Sequence, residues 1–441
     1  MAAESGAKRI VASAIVAVII VLVFAGALVG VSRYSPPKAP GFKGKIVVGC
    51  ITFPKGTPLY EASMEIKRGL ELWADYANKY GINIQGQYYG VTIDCKEAGF
   101  TMREVRIVAS NLVTSDGVDV IVAPPGNDFS KAVMEVGENK RVPVILTYAN
   151  YDVLFTRGWN FSFMLMTPQF KTVNSVFKAL STYNVTYNNI AVLYEAVPTG
   201  ELRNYSEGLL SYARVHKLNF VYSSAFTADN ASNVVGEMVA EKANPNVIFV
   251  AAWSRDALSA VLKAINAEKG ALRSLKHVVV IAPTTEIMAI QNLGQALDKV
   301  IYVSMWEPIA PISPFMAANL GIDWYGYTTS ESFVEEYTQK YGREPTDLAA
   351  LGYMAGLLVQ YAYEKAGTLD HAAVAENIRN AYIMTFYGAV GFQGSAKFAG
   401  GARGLQEAHS ALLVELVYTG NGLKKIIIWP EELRTEAYVA P

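Results

Sequence analysis

Cysteine and histidine are scarce in this chain of 441 residues: two of the first, Cys50 and Cys95, and four of the second, His216, His277, His371 and His409. Structural zinc and haem need a denser ligand set, and no histidine has another four residues on, so no metal or cofactor is expected. Runs of Lys or Arg are missing too, and the formal net charge is −1 at pH 7. Phosphate backbones are held by clustered cations, which argues against nucleic acid as a partner. Catalytic signatures are also absent: there is no GxSxG, no HExxH, no GxxxxGK followed by Ser or Thr, and no CxxC. Gly388, Gly391 and Gly394 recur loosely, but late in the chain, where they read as turn glycines. An enzyme is not expected.

One long stretch does lack charge altogether. Residues 10–31, IVASAIVAVIIVLVFAGALVGV, would form a helix of about 33 Å, enough to cross the hydrocarbon core of a bilayer. Lys8 and Arg9 precede it, as they would on a cytoplasmic tip of residues 1–9. A Pro/Gly/Lys spacer follows at 32–44. The run reads either as a retained single-pass anchor or as a secretory signal cut after Ala25-Gly26-Ala27; it is longer than the usual signal core. Both readings place the rest of the chain on the extracellular face of the membrane. Asn160, Asn184, Asn204 and Asn230 stand in Asn-x-Ser/Thr sequons, candidate glycosylation sites there. Tyr (26 residues) and Trp (6) are plentiful, which suits aromatic recognition of small molecules and equally an ordinary core.

From residue 45 onward, apolar β-type runs alternate with amphipathic helical stretches. KIVVGCI precedes a helix in which Ile66, Leu70, Trp73, Ala77 and Tyr80 share a face. YYGVTIDC, VDVIVAPP and VPVILTYA complete a first series, with helices between. A second runs through NIAVLYEA, NFVYSSAF, NVIFVAAW, HVVVIAPT and VIYVSMW, with helices at 201–216, 231–242, 255–269 and 286–297. Continuous apolar strands are covered on both faces, and strand–helix alternation implies right-handed crossovers in a parallel sheet. The reading is therefore α/β, two doubly wound lobes, each binding through loops at the carboxyl ends of its strands. The tail adds helices at 329–341, 348–365 and 371–381, then strands at 411–417 and 423–429 across a Thr-Gly-Asn-Gly turn. Cys50 and Cys95 end neighbouring strands in such a fold; outside the cell they form a disulfide or remain two buried thiols.

At this point several strings resemble a known family. KIVVGC, RGLELWADYAN, FVEEYTQKYGREPTDLAALGYMAGLLVQYAYEKAG, YGAVGFQGSAKF and LKKIIIWPEEL are similar to the type I periplasmic binding proteins, specifically the substrate-binding proteins of leucine/isoleucine/valine ABC importers. The resemblance spans about residues 44–435. It implies a two-lobe clamp, hinged by three crossings, that captures a small polar solute and delivers it to a permease with its ATPase subunits. The crossings would fall near Thr167, Ser304 and Thr385, giving lobe one 45–166 plus 305–384 and lobe two 167–303 plus 386–436.

Ligand contacts would then come from strand-to-helix loops. In lobe one these are the loop with Phe53 and, just after it, Tyr60; the loop Gly126, Asn127, Asp128 and Ser130; and the loop Tyr148-Ala149-Asn150. The second opens a helix, whose free N–H groups and dipole favour an anion, although Asn127 or Asp128 could simply be its N-cap. The family's amino-acid binders place Ser-Ser and Ala-x-Thr in these last two loops, and this chain departs from both. From lobe two, Glu195, Trp253, Thr285 and Glu286 face the gap, Glu286 as the nearest match to the family's ammonium-binding acid, with Trp306 and Glu307 as weaker candidates. A ligand-sensing receptor ectodomain, signalling through a separate partner, or a structural surface protein are the alternatives on the same fold.

Overall fold

The computed structural model describes residues 38–197, 201–392 and 404–438. The apolar run 10–31 and Gly394 lie outside them; among the described residues no helix is long and apolar enough to cross a membrane.

The first series forms β1 (Gly44–Thr52), β2 (Ile82–Ile84), β3 (Gln87–Glu97), β4 (Val120–Ala123), β5 (Val144–Leu146) and β6 (Ser162–Met164), linked through helices α1 (Tyr60–Tyr80), α2 (Met102–Thr114) and α3 (Asn127–Lys140). The sheet order is β2-β3-β1-β4-β5-β6, parallel except for the β2 hairpin. Every residue of β4 and β5 is buried, as continuous apolar runs between two helix layers should be. Cys50 and Cys95 stand opposite each other in the β1–β3 register and are joined as a disulfide.

The second series supplies β7 (Asn189–Glu195), β8 (Asn219–Phe226), β9 (Val247–Ala251), β10 (His277–Ile281) and β11 (Val300–Ser304). Helices α4 (Gln169–Thr182), α5 (Glu201–Val215), α6 (Ala231–Ala240), α7 (Arg255–Ala267) and α8 (Thr284–Ala289) cover it. The expected helix over 286–297 is not continuous. It stops at Ala289, and a 3-10 stretch at Gln291–Leu297 follows, bent at Gly294 with φ 54°. Asn292-Leu293-Gly294 offers the backbone a kink that apolar spacing alone does not register.

The tail helices α9 (Pro314–Leu320), α10 (Ser330–Tyr341), α11 (Asp347–Ala366) and α12 (His371–Arg379) return to the first sheet. Almost all of α11 is buried, so it is apolar on every side and packs flat on α1. A small separate sheet combines β12 (Asp323–Trp324), β13 (Tyr382–Thr385) and β14 (Gly388–Gly391). Antiparallel β15 (Leu412–Tyr418) and β16 (Leu423–Trp429) then extend the second sheet beside β11, in the order β16-β15-β11-β10-β9-β7-β8.

The passages between the sheets lie after Met164 and after Ser304, beside Thr167 and Met305. The third is not near Thr385. There Phe386 and Tyr387 turn β13 back into β14, and among the described residues the chain rejoins the second sheet at Leu412, the start of its next strand. His409 ties that passage to the first, its Nδ1 3.0 Å from Thr167 Oγ1 and its ring stacked on Tyr387.

His409 and His277 are both buried. Burial holds them neutral, down to about 3 and about 4 respectively. An unfolded histidine takes its proton near 6.5, so between pH 6.5 and 4 the unfolded chain binds more protons and stability falls with pH. Asp347 acts the other way, since burial raises its carboxyl to about 6, so its cost in the fold is relieved as pH drops below that. Burial raises the carboxyls of Asp128, Asp152, Glu286, Glu336, Glu364 and Glu415 as well, and each opposes the histidines in the same way as Asp347. The share of His409 is isolated by His409→Gln, whose loss of stability between pH 7 and pH 4 by urea unfolding is expected to be smaller than that of the native chain by roughly 3 kcal/mol; the same loss in both would refute the assignment.

Candidate functional site

Both sheets change winding direction at one point, between β1 and β4 in the first and between β7 and β9 in the second. Loops leave the strand ends there in opposite directions, which opens a crevice beyond them. A cavity lies in that position, with loops of both sheets on its walls. Asn127, Tyr148, Ala149 and Asn150 come from one side; Leu202, Tyr205, Trp253 and Ala282 come from the other. Met166, Thr172, Ile281, Val303, Met305 and Asp347 complete it, and the cavity volume is about 50 Å³. The mix is mainly apolar and aromatic with a few amides, hydroxyls and one carboxylate, the composition of a small-molecule site.

The wall is built by local hydrogen bonding. Gly126, at φ 105°, is the N-cap of α3 and offers no side chain. The expected cap role of Asn127 or Asp128 is therefore not realised. Instead Asn127 Oδ1 accepts from the backbone N–H groups of Asn150 and Tyr151, both at 2.9 Å, and so fastens the third loop to the second. Asp128 is half-buried, and burial raises its carboxyl. Ser130 is fully buried and its Oγ donates to Pro124 O at 3.1 Å, a loop brace.

Other expected contacts do not reach the cavity. Phe53 is completely buried and packs its ring against Phe100 and Phe129. Tyr60 opens α1, half-buried, away from the lining. Glu195 turns back on its own lobe: its carboxylate accepts from Trp253 N, Ser254 N and Ser254 Oγ, at 2.6, 3.0 and 2.5 Å. This holds Trp253, whose ring meets Phe100 of the opposite lobe edge-on at 6.4 Å.

Thr285 and Glu286 lie beyond the cavity. Thr285 lines a second, charged groove between the sheets, together with Glu61, Arg255, Trp306, Glu307, Arg343 and Lys425. Glu286 is buried in the first turn of α8, 3.6 Å from Arg255 Nε, and burial raises its carboxyl. Trp306 is in the core, donating Nε1–H to Phe386 O, and Glu307 pairs with Lys425 at 3.0 Å. Among the sequons, Asn160, Asn184 and Asn230 are exposed, and the Asn160 amide donates to Glu138.

Asp347 escaped the sequence reading. It forms part of the cavity wall and also of the charged groove, so this one carboxylate stands between the two. The usable signal was an acid at the first position of a helix too apolar to have a wet face. Its partners are Met305 N at 2.9 Å, Ser304 Oγ at 3.3 Å and Thr284 Oγ1. It thus joins α11 of one lobe to α8 and β11 of the other.

Fold and cavity together define a two-lobed α/β binding protein of the kind that encloses a small molecule. A periplasmic binding protein family model matches residues 45–405, and the chain belongs to that family. Solved structures of the same fold include a leucine binding protein of Thermotoga maritima, 17% identical, covering 86% of this chain and 97% of its own, with a TM-score of 0.64. A Streptococcus pneumoniae branched-chain amino acid transporter substrate binding protein, in complex with isoleucine, is 18% identical over 88% and 100%, TM-score 0.65. An ABC transporter solute binding protein of R. palustris, in complex with benzoate, is 15% identical over 87% and 96%, TM-score 0.64. At these identities the likeness is one of fold.

Proposed function

We propose that this protein is the solute-capturing component of an ABC importer, held on the extracellular face by residues 10–31 and passing its cargo to a permease. The observation that carries this reading is the cavity whose walls come from the strand-end loops of both lobes, Asn127, Tyr148 and Asn150 facing Leu202, Trp253 and Ala282. Such walls close on a solute only if it binds the closed form better than the open one. Anchoring would raise the local concentration near the permease. Family membership and the amino-acid and benzoate complexes of its structural neighbours support the reading.

The test is a thermal-shift screen of the full chain, purified in mild detergent, against amino acids, amides, amines and short peptides. A bound solute raises the melting temperature by mass action. Silence across the panel would instead favour a structural surface protein. For whichever solute binds, Trp253→Ala is expected to weaken affinity at least tenfold, about 1.4 kcal/mol, since it removes the largest ring of the wall. Unchanged affinity by calorimetry would place the site elsewhere.

A further inference from the structure

The inference rests on the solute-capture reading and concerns the charge of the solute. Asp347 is 3% exposed, and its three hydrogen-bond partners, Thr284 Oγ1, Ser304 Oγ and Met305 N, are all neutral. A charged neighbour that bears on it, Glu307, has the same sign. The cations of the adjoining groove are engaged elsewhere: Lys425 with Glu307, Arg343 with Glu65, and Arg255 near Glu286. A buried carboxylate is costly to hold ionised without a countercharge, and burial accordingly raises this one to about 6.

The remaining polar wall offers no cation. Asn127, Asn150, Tyr148, Tyr205 and Thr172 contribute amides and hydroxyls, and no Lys or Arg is among the described lining residues. A solute carboxylate brought into this space would meet Asp347 and nothing to balance it. A solute cation would meet that acid on a wall that also holds Trp253, Tyr148 and Tyr205, aromatic rings of the type that attract positive charge through their quadrupoles. We infer that the cavity takes a small organic amine in its protonated form, with the ammonium held by the Asp347 carboxylate and the apolar body against the aromatic wall.

Matched probes test this on the full chain: benzylamine, benzyl alcohol and benzoate, with butylamine, butyramide and butyrate, by thermal shift and titration calorimetry. The amines are expected to bind at least tenfold more tightly than their neutral and anionic counterparts. Asp347→Asn, near-isosteric and uncharged, is expected to erase that preference while leaving binding of the neutral probes. If the variant does not fold, the ranking on the native chain decides. Preference for benzoate or butyrate, binding of neutral or anionic solutes alone, or an amine preference that survives Asp347→Asn would each overturn the charge assignment while leaving solute capture standing. No binding by any of these probes or by the wider panel would overturn both.

Discussion

Replacing Gly352 with valine is expected to cost lobe one about 3 kcal/mol or more, the largest effect of any single substitution considered. A Cβ at Gly352 would lie 2.0 Å from Ile66 O, and one at Gly69 would lie 1.9 Å from Ala349 O. Here α1 and α11 touch backbone to backbone. A backbone carbonyl cannot rotate aside as a side chain can, and α11, buried on nearly every side, has no free direction in which to move. Overpacking at such a contact must part the two helices and open the layer behind them, including Trp73, which packs on Gly356. Gly236 supplies the contrast. It lies inside α6 with nothing within 4 Å of its would-be Cβ, so Gly236→Ala is expected to stabilise by up to about 1 kcal/mol. Urea unfolding of the two variants should therefore shift in opposite directions, and a tolerated valine at Gly352 would refute the packing described.

Loss of the disulfide is expected to have an effect of the same order. Cys50 and Cys95 are 45 residues apart, and closing a loop of that length lowers unfolded-chain entropy by an amount worth about 4 kcal/mol in the chain-entropy treatment. The bridged residues already face each other across two parallel strands, so the folded state surrenders little when the bridge is cut. The double variant Cys50→Ala, Cys95→Ala should thus unfold at lower urea, and reduction of the native chain should shift it similarly. The effect should appear in the transition that reports lobe one, for instance Trp73 fluorescence. Coincident unfolding curves for oxidised and reduced protein would show the link to be energetically idle.

Both predictions depend on features the sequence announced unequally. The strands were visible because a strand covered on both faces must be apolar throughout, and runs such as VIVA and VIFVA leave no other solution outside a membrane. Two cysteines at the ends of neighbouring strands allowed a bridge but equally two thiols; only the register decided between them. Asn127 was visible as a loop residue at a helix start, yet its role as a tie to Asn150 and Tyr151 depends on a strand neighbour more than twenty residues away. Glu195 was misread for a related reason. A carboxylate at the end of β7 can face the gap or the next loop, and Ser254 with two backbone N–H groups claimed it. Asp347 went unnoticed because its partners, Thr284 and Ser304, come from the other lobe.

By itself, then, the chain's pattern of apolar runs and helical faces specified two α/β lobes and the order of their strands and helices, because periodicity and burial are local consequences of side-chain chemistry. Which loops meet, that the last crossing runs beside His409, and that one acid separates the cavity from a charged groove were decided only by tertiary structure. Those facts concern distances between segments remote in sequence, and they are fixed by how two independently patterned sheets come to face each other.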